Sequence, residues 1–299
     1  MGSVTEVATP LTTTRGHATA ESTGKCGPGD LRIPESIGTS AEADQALIEQ
    51  KRYWRQDQSR RRKPGHPVIE AIYEPRARFL RSLVPGLTQA SVLDVGCGTG
   101  VMSHYLARNF PTVGAVDFSE TMLRENPSAC RICGDAARLP FASDSFDIVT
   151  ASHLLHHLPP PGRLQAVREF GRVARRWVVL YEPNRNNPAM FLFALLKKAE
   201  RMALAFSRHY LTGLTRAAGL RVETHHVECT ILPNKTPLKL LKLARWFDRR
   251  PFSRLGFYVL VVARPSPAGI PMCVASCARA DVSTASRGKE GPVSDVLCS

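Results

Sequence analysis

The first 25 residues contain no apolar run: Thr, Ser, Ala and Gly dominate them, and position 6 is Glu where an N-terminal lipidation motif calls for Ser or Thr. Export is therefore not expected, and neither is a disulfide framework for the eight cysteines at 26, 97, 130, 133, 229, 273, 277 and 298. A cytoplasmic chain with reduced thiols is the expectation. No metal site is expected: Cys130 and Cys133 have the spacing of half a zinc site but fall in a strand, and Cys273 and Cys277 fall in a low-complexity tail. Apolar periodicity is missing from residues 1–45 and 265–299, which read as disordered tails.

Charge of one sign is abundant. Forty Lys and Arg stand against 26 Asp and Glu, a net charge of +14. Residues 51–90 carry ten basic and three acidic side chains and residues 189–264 carry fourteen and four, whereas residues 91–150 carry four and seven. Such a surface attracts phosphates, anionic lipid headgroups or acidic small molecules, and it also keeps a protein in solution.

Residues 46–90 read as a helical cap, interrupted near Lys63-Pro64-Gly65, with Val68, Ile69, Ile72, Tyr73 and Leu80 on one stripe. Arg60-Arg61-Arg62-Lys63 sits in the interruption as a solvated run or an anion contact. Residues 91–264 then alternate strand and helix, which predicts a doubly wound α/β core with helices on both faces of a seven-stranded, mostly parallel sheet. The strands are expected at Ser91 to Val95, Thr112 to Val116, Arg131 to Cys133, Phe146 to Ala151, Trp177 to Tyr181, Leu220 to Ile231 and Gly256 to Ala263. Helices are expected over Val101 to Asn109 and Arg163 to Arg175, with lid insertions near 189–210 and 232–255.

The strongest signal is Val92-Leu93-Asp94-Val95-Gly96-Cys97-Gly98-Thr99-Gly100. Its glycines let the chain turn sharply out of a buried strand and approach a ligand closely. A dinucleotide fingerprint spaces its glycines as G-x-G-x-x-G, but here the third glycine is Gly100 and position 101 is Val. Asp94, two positions before the first glycine, would repel a pyrophosphate and suits a cation. Asp117 ends the second strand about 20 residues later, where a carboxylate can accept both hydroxyls of a ribose; that position alone would serve NAD equally well.

The run VLDVGCGTG resembles motif I of the class I S-adenosylmethionine-dependent methyltransferases, in particular the small-molecule group related to the ubiquinone and menaquinone methyltransferases. Gly134-Asp135-Ala136-Ala137-Arg138-Leu139-Pro140-Phe141 followed by Asp144-Ser145-Phe146-Asp147 resembles the next block of that family. The resemblance spans roughly residues 68–264, and its dense motifs lie in 92–158. It implies a Rossmann-like fold, S-adenosyl-L-methionine as cofactor, and methyl transfer to oxygen, carbon or nitrogen of a small organic acceptor. Asp94, Gly96, Cys97, Gly98, Gly100 and Asp117 would hold the cofactor with Asp135 at the adenine amino group and the Ala136 N–H at a ring nitrogen. Phe118, Met122 and Ser152 would line the same site. An NAD-dependent oxidoreductase, or a non-catalytic protein keeping the fold for partner binding, are the competing readings.

Ser152-His153-Leu154-Leu155-His156-His157-Leu158 follows the fourth strand at the carboxyl edge of the sheet, and His156 and His153 are the candidate bases. Glu182 and Asn184, after the fifth strand, could touch cofactor or substrate. The proline-rich motif of DNA adenine methylases is absent after the fourth strand, which argues against nucleic acid as substrate. The acceptor is expected to be chosen by Ala189 to Phe206 and Thr236 to Arg250, which are apolar and basic. They could pack as lids or rest on an anionic membrane and admit a lipid-like acceptor.

Overall fold

Pro67 fixes φ at the first turn of a helix, and the His66 ring caps that turn by accepting the Val68 N–H at its Nδ1, 3.2 Å away. The helix that follows, α1 (Pro67–Ser82), buries Val68, Ile69, Ile72, Ala77 and Leu80 along one face, four of them from the expected stripe; Tyr73 is half-buried. The computed structural model describes residues 62–228, 236–248 and 256–266, together with Ile48, Arg52 and Trp54. The expected N-terminal tail, all but the first residues of the expected C-terminal one, and most of the cap before α1 lie outside the described residues.

Beyond α1 the chain runs β1 (Ser91–Val95), α2 (Val101–Ala107), β2 (Thr112–Asp117), α3 (Glu120–Glu125), β3 (Cys130–Cys133), β4 (Phe146–Ser152), α4 (Pro160–Val173) and β5 (Ala174–Pro183). There follow α5 (Pro188–Leu196), a 3₁₀ segment (Lys198–Ala205), α6 (Arg208–Ala217), β6 (Leu220–Glu228), α7 (Leu241–Asp248) and β7 (Tyr258–Pro265). The seven strands lie in the order β3-β2-β1-β4-β5-β7-β6. Strands β1 to β5 are parallel, and β7 runs antiparallel to both β5 and β6. The doubly wound, mostly parallel sheet that the sequence predicts is the one that forms.

Alternation along each strand feeds two cores. In β1, Leu93 and Val95 join Phe170 of α4 and Leu211 and Leu214 of α6 on one face of the sheet. Val92 joins Leu80 of α1 and Tyr105 and Leu106 of α2 on the other. The order reverses between β2-β1 and β4, so the carboxyl ends of β1 and β4 part there and leave the crevice where open α/β sheets bind ligands.

Several bounds move, each for a local reason. Strand β5 starts at Ala174, not Trp177, because Arg175 and Arg176 reach out to Asp147 at 3.0 and 3.3 Å; their charge hid a strand. Helix α4 starts three residues early, at Pro160, a residue suited to the first helical turn. Helices α3 and α6 have no counterpart in the sequence reading. The first has six residues, and the second lies at the end of an insertion, capped by the Ser207 hydroxyl accepting the Tyr210 N–H at 3.1 Å.

Both edges of the sheet are short or charged. Cys130 and Arg131 of β3 are exposed, and β6 exposes Arg221, Glu223, Thr224, His225 and His226.

Phe170 is fully buried in the larger core. Phe170→Ala is expected to lower unfolding free energy by about 3–5 kcal/mol; a shift in the midpoint of a urea unfolding curve at unchanged slope measures it.

Candidate active site

The glycine turn is built by β2. The N–H groups of Gly96 and Cys97 both donate to the Val116 carbonyl, at 2.8 and 3.1 Å, which folds the chain back over the end of β2. Gly96 and Gly98 have φ of +71° and +53°. A Cβ on Gly96 would stand 2.9 Å from Leu154, and one on Gly98 would stand 2.9 Å from Met122, so these two positions also need the missing side chain for space.

Around the turn lies a cavity of about 530 Å³, within the range of small-molecule sites. Its walls include Asp94, Gly96, Cys97, Gly98, Asp117, Phe118, Met122, Asp135, Ala136, Ser152, His153 and His156, so the structure brings together nearly all of the expected site. Gly100 is the exception. It stands behind the turn as the N-cap of α2, with φ +81°, and does not border the cavity.

Asp94 is 1% exposed and accepts the Ser103 hydroxyl at 2.6 Å. Burial outweighs that bond and the nearby Asp117 adds repulsion, so the carboxyl is pushed up to about 7. Asp117 accepts the N–H of Gly98 at 2.8 Å and of Ser119 at 2.9 Å; burial raises it as well. Asp135 sits at the rim, exposed, with one oxygen accepting the Ala137 N–H at 2.8 Å. Burial pushes the Cys97 thiol up, so it is a packing group. The Ser152 hydroxyl oxygen is buried with no hydrogen-bond partner among the described residues.

The histidines divide. Glu182, fully buried, accepts the N–H groups of Leu154 and Leu155 on one oxygen and His156 Nδ1 on the other, 2.6 Å away. The opposite nitrogen, Nε2, faces Glu200 at 3.4 Å. Burial alone would lower His156, but the two carboxylates overcome it and lift the ring to about 9. Both ring nitrogens of His156, one of the two expected bases, are thus engaged by carboxylates. His153 borders the cavity with φ +59°, its ring 4.5 Å from Tyr258. Glu182 and Asn184 do not touch the cavity. They are structural, Asn184 holding the Gly256 carbonyl at 2.9 Å.

The far wall draws Met190, Phe193 and Glu200 from the expected 189–206 segment and none of its lining from 236–250; its residues from α1 and β7 were not read from sequence. It comes from Ile69 and Tyr73 of α1, Met190 and Phe193 of α5, Glu200 of the 3₁₀ segment and Tyr258 of β7. Behind it the buried Arg76 guanidinium lies 4.4 Å over Tyr181 and 4.9 Å over Tyr258, with its Nε 2.8 Å from Glu228. Cys130 and Cys133 are free and exposed and do not line the cavity.

The family model described as a methyltransferase domain matches residues 93–180. A ubiquinone biosynthesis O-methyltransferase of Bordetella parapertussis is 30% identical over 182 residues, covering 54% of this chain and 70% of that protein. The chain belongs to the class I S-adenosylmethionine-dependent methyltransferases. A demethylmenaquinone methyltransferase of Mycobacterium marinum is 38% identical over 109 residues, 36% of this chain and 46% of the relative. The chain spans less than half the length of several such relatives, 38% in the case of a malonyl-[acyl-carrier protein] O-methyltransferase of Herminiimonas arsenicoxydans. In fold it is similar to a SAM-dependent methyltransferase of Thermotoga maritima, at 19% identity and a TM-score of 0.50 over 67% of this chain and 91% of that one.

The residues fit the methyltransferase cofactor. A nucleoside carrying a sulfonium and an ammonium is matched by a cavity lined with Asp94, Asp117 and Asp135, and the unpartnered Ser152 hydroxyl offers a further polar contact. A diphosphate would meet the same acids as repulsion.

Because Asp94 ionises near 7, its attraction for a cation fades as pH falls. Affinity for S-adenosylmethionine is expected to drop roughly tenfold between about pH 8 and 6. In Asp94→Asn the calorimetric profile should lie lower and lose that slope.

Proposed function

We propose that this methyltransferase transfers a methyl group from S-adenosylmethionine to a small, largely apolar organic acceptor. The observation that carries the reading is the pairing of an acid-rimmed glycine turn with an aromatic and aliphatic chamber in one cavity. Bound at the turn, the cofactor supplies an activated methyl carbon. What remains for the chain is to hold a nucleophile close, aligned and dry. Tyr73, Phe193 and Tyr258 give an apolar face for a planar or lipid-like acceptor, in keeping with relatives named for ubiquinone and menaquinone. His153 is the base for an acceptor that must lose a proton.

Calorimetry with S-adenosylmethionine tests the first half, and isotopic methyl transfer into a metabolite extract tests the second. Asp135→Ala is expected to weaken cofactor binding roughly tenfold. Binding without any labelled product would favour a partner-binding protein, and NAD binding in place of S-adenosylmethionine would favour an oxidoreductase.

The acceptor reading extends to a membrane surface. Helix α5 lines the cavity with Met190 and Phe193, yet its outer side leaves Phe191, Leu192, Leu195 and Leu196 between 47% and 76% exposed. Leu238, Leu240, Leu243 and Trp246 are about half exposed beside the exposed Lys239 and Lys242. An apolar surface next to cations suits an anionic bilayer, from which an apolar acceptor could enter past α5. No described helix is long and apolar enough to span a membrane, and the contact we propose is a peripheral one. The wild-type chain is expected to float with anionic vesicles at low salt, and Leu195→Glu with Leu196→Glu to stay at the bottom of the gradient.

A further inference from the structure

His156, His157 and Glu200 all border the cavity and each offers one donor atom, the three lying within 4.8 Å of one another. The two histidines are buried and the glutamate nearly so. His156 Nε2 stands 3.4 Å from Glu200 Oε2. Two ligands about 2.0–2.2 Å from a tetrahedral ion are roughly 3.3–3.6 Å apart, so this pair is already at the separation a metal would set.

The surroundings match a metal site in two further respects. The other ring nitrogen of His156, Nδ1, lies 2.6 Å from the buried Glu182, which accepts its N–H and so is the outer carboxylate that orients a ligating imidazole and fixes its tautomer. His157 is held edge-on to Trp54, with ring centroids 4.8 Å apart, and so is fixed beside its neighbour.

We propose that His156, His157 and Glu200 bind one divalent transition-metal ion of the zinc class, through two imidazole nitrogens and a carboxylate. Three protein ligands leave a position open towards the cavity, as in catalytic and not structural sites. An acceptor oxygen is the ligand that position would take, which narrows the acceptor to a hydroxyl-bearing or phenolic compound. That narrowing rests on the function proposed above; the existence of the site does not.

The test uses the full chain carrying Cys130→Ser and Cys133→Ser, which removes the exposed thiol pair as a rival ligand set. Zn²⁺ titrated by calorimetry is expected to bind one ion per chain. Co²⁺ in its place should give the visible bands of a tetrahedral nitrogen and oxygen site, without a sulfur charge-transfer band. Glu200→Gln and His157→Ala, each checked for folding by circular dichroism, are expected to weaken binding about tenfold or more. No saturable binding, or Zn²⁺ held as tightly by Glu200→Gln as by its parent, would overturn the proposal. S-adenosylmethionine titrated into the same samples keeps the two readings apart: a chain that binds cofactor and no metal loses only this one.

Discussion

The buried carboxylate of Glu182 is the constraint on which the site depends. Fully enclosed at the end of β5, it is satisfied by two backbone N–H groups and an imidazole from the turn after β4. That turn carries Leu154, whose side chain packs directly on Gly96 and fixes how far the glycine turn can move. One acid therefore ties the histidine segment to the glycine turn. Removing one member of such a buried pair typically costs about 3–5 kcal/mol because the other charge is stranded. The arrangement explains why an acid near a ligand crevice is not itself a ligand: its lone pairs are already spent on holding the loop.

The donor half and the acceptor half of the cavity differ in how they are made. Asp94, Asp117 and the glycines sit at the carboxyl ends of β1 and β2, so their positions follow from sheet geometry. The opposite wall is assembled from α1, α5, the 3₁₀ segment and β7, elements far apart in sequence. This difference accounts for what could be read in advance. Strand ends carry a fixed spacing between glycine and acid, and that spacing is visible in the chain. Ile69 and Tyr73 look like ordinary core residues of an amphipathic helix, and nothing in their pattern says that one edge of that stripe faces a cavity. Glu200 is a single acid in a basic, apolar insertion, without a repeat or motif to mark it.

His156 has the residue type and the place of a proton acceptor, but its chemistry is set by Glu182 and Glu200, which lie 26 and 44 residues further along the chain. Electrostatic environment is a property of three-dimensional neighbours and leaves no local signature. The short reading of β5 has the same origin: Arg175 and Arg176 look like the end of a helix until Asp147 is found opposite them.

The edges of the sheet carry a consequence of their own. A strand with unpaired N–H and C=O groups invites another chain to add itself, and a flat apolar edge is where such addition begins. Here one rim is only four residues long and the other presents a row of arginine, glutamate and histidine side chains. Growth by strand addition is opposed at both of these edges.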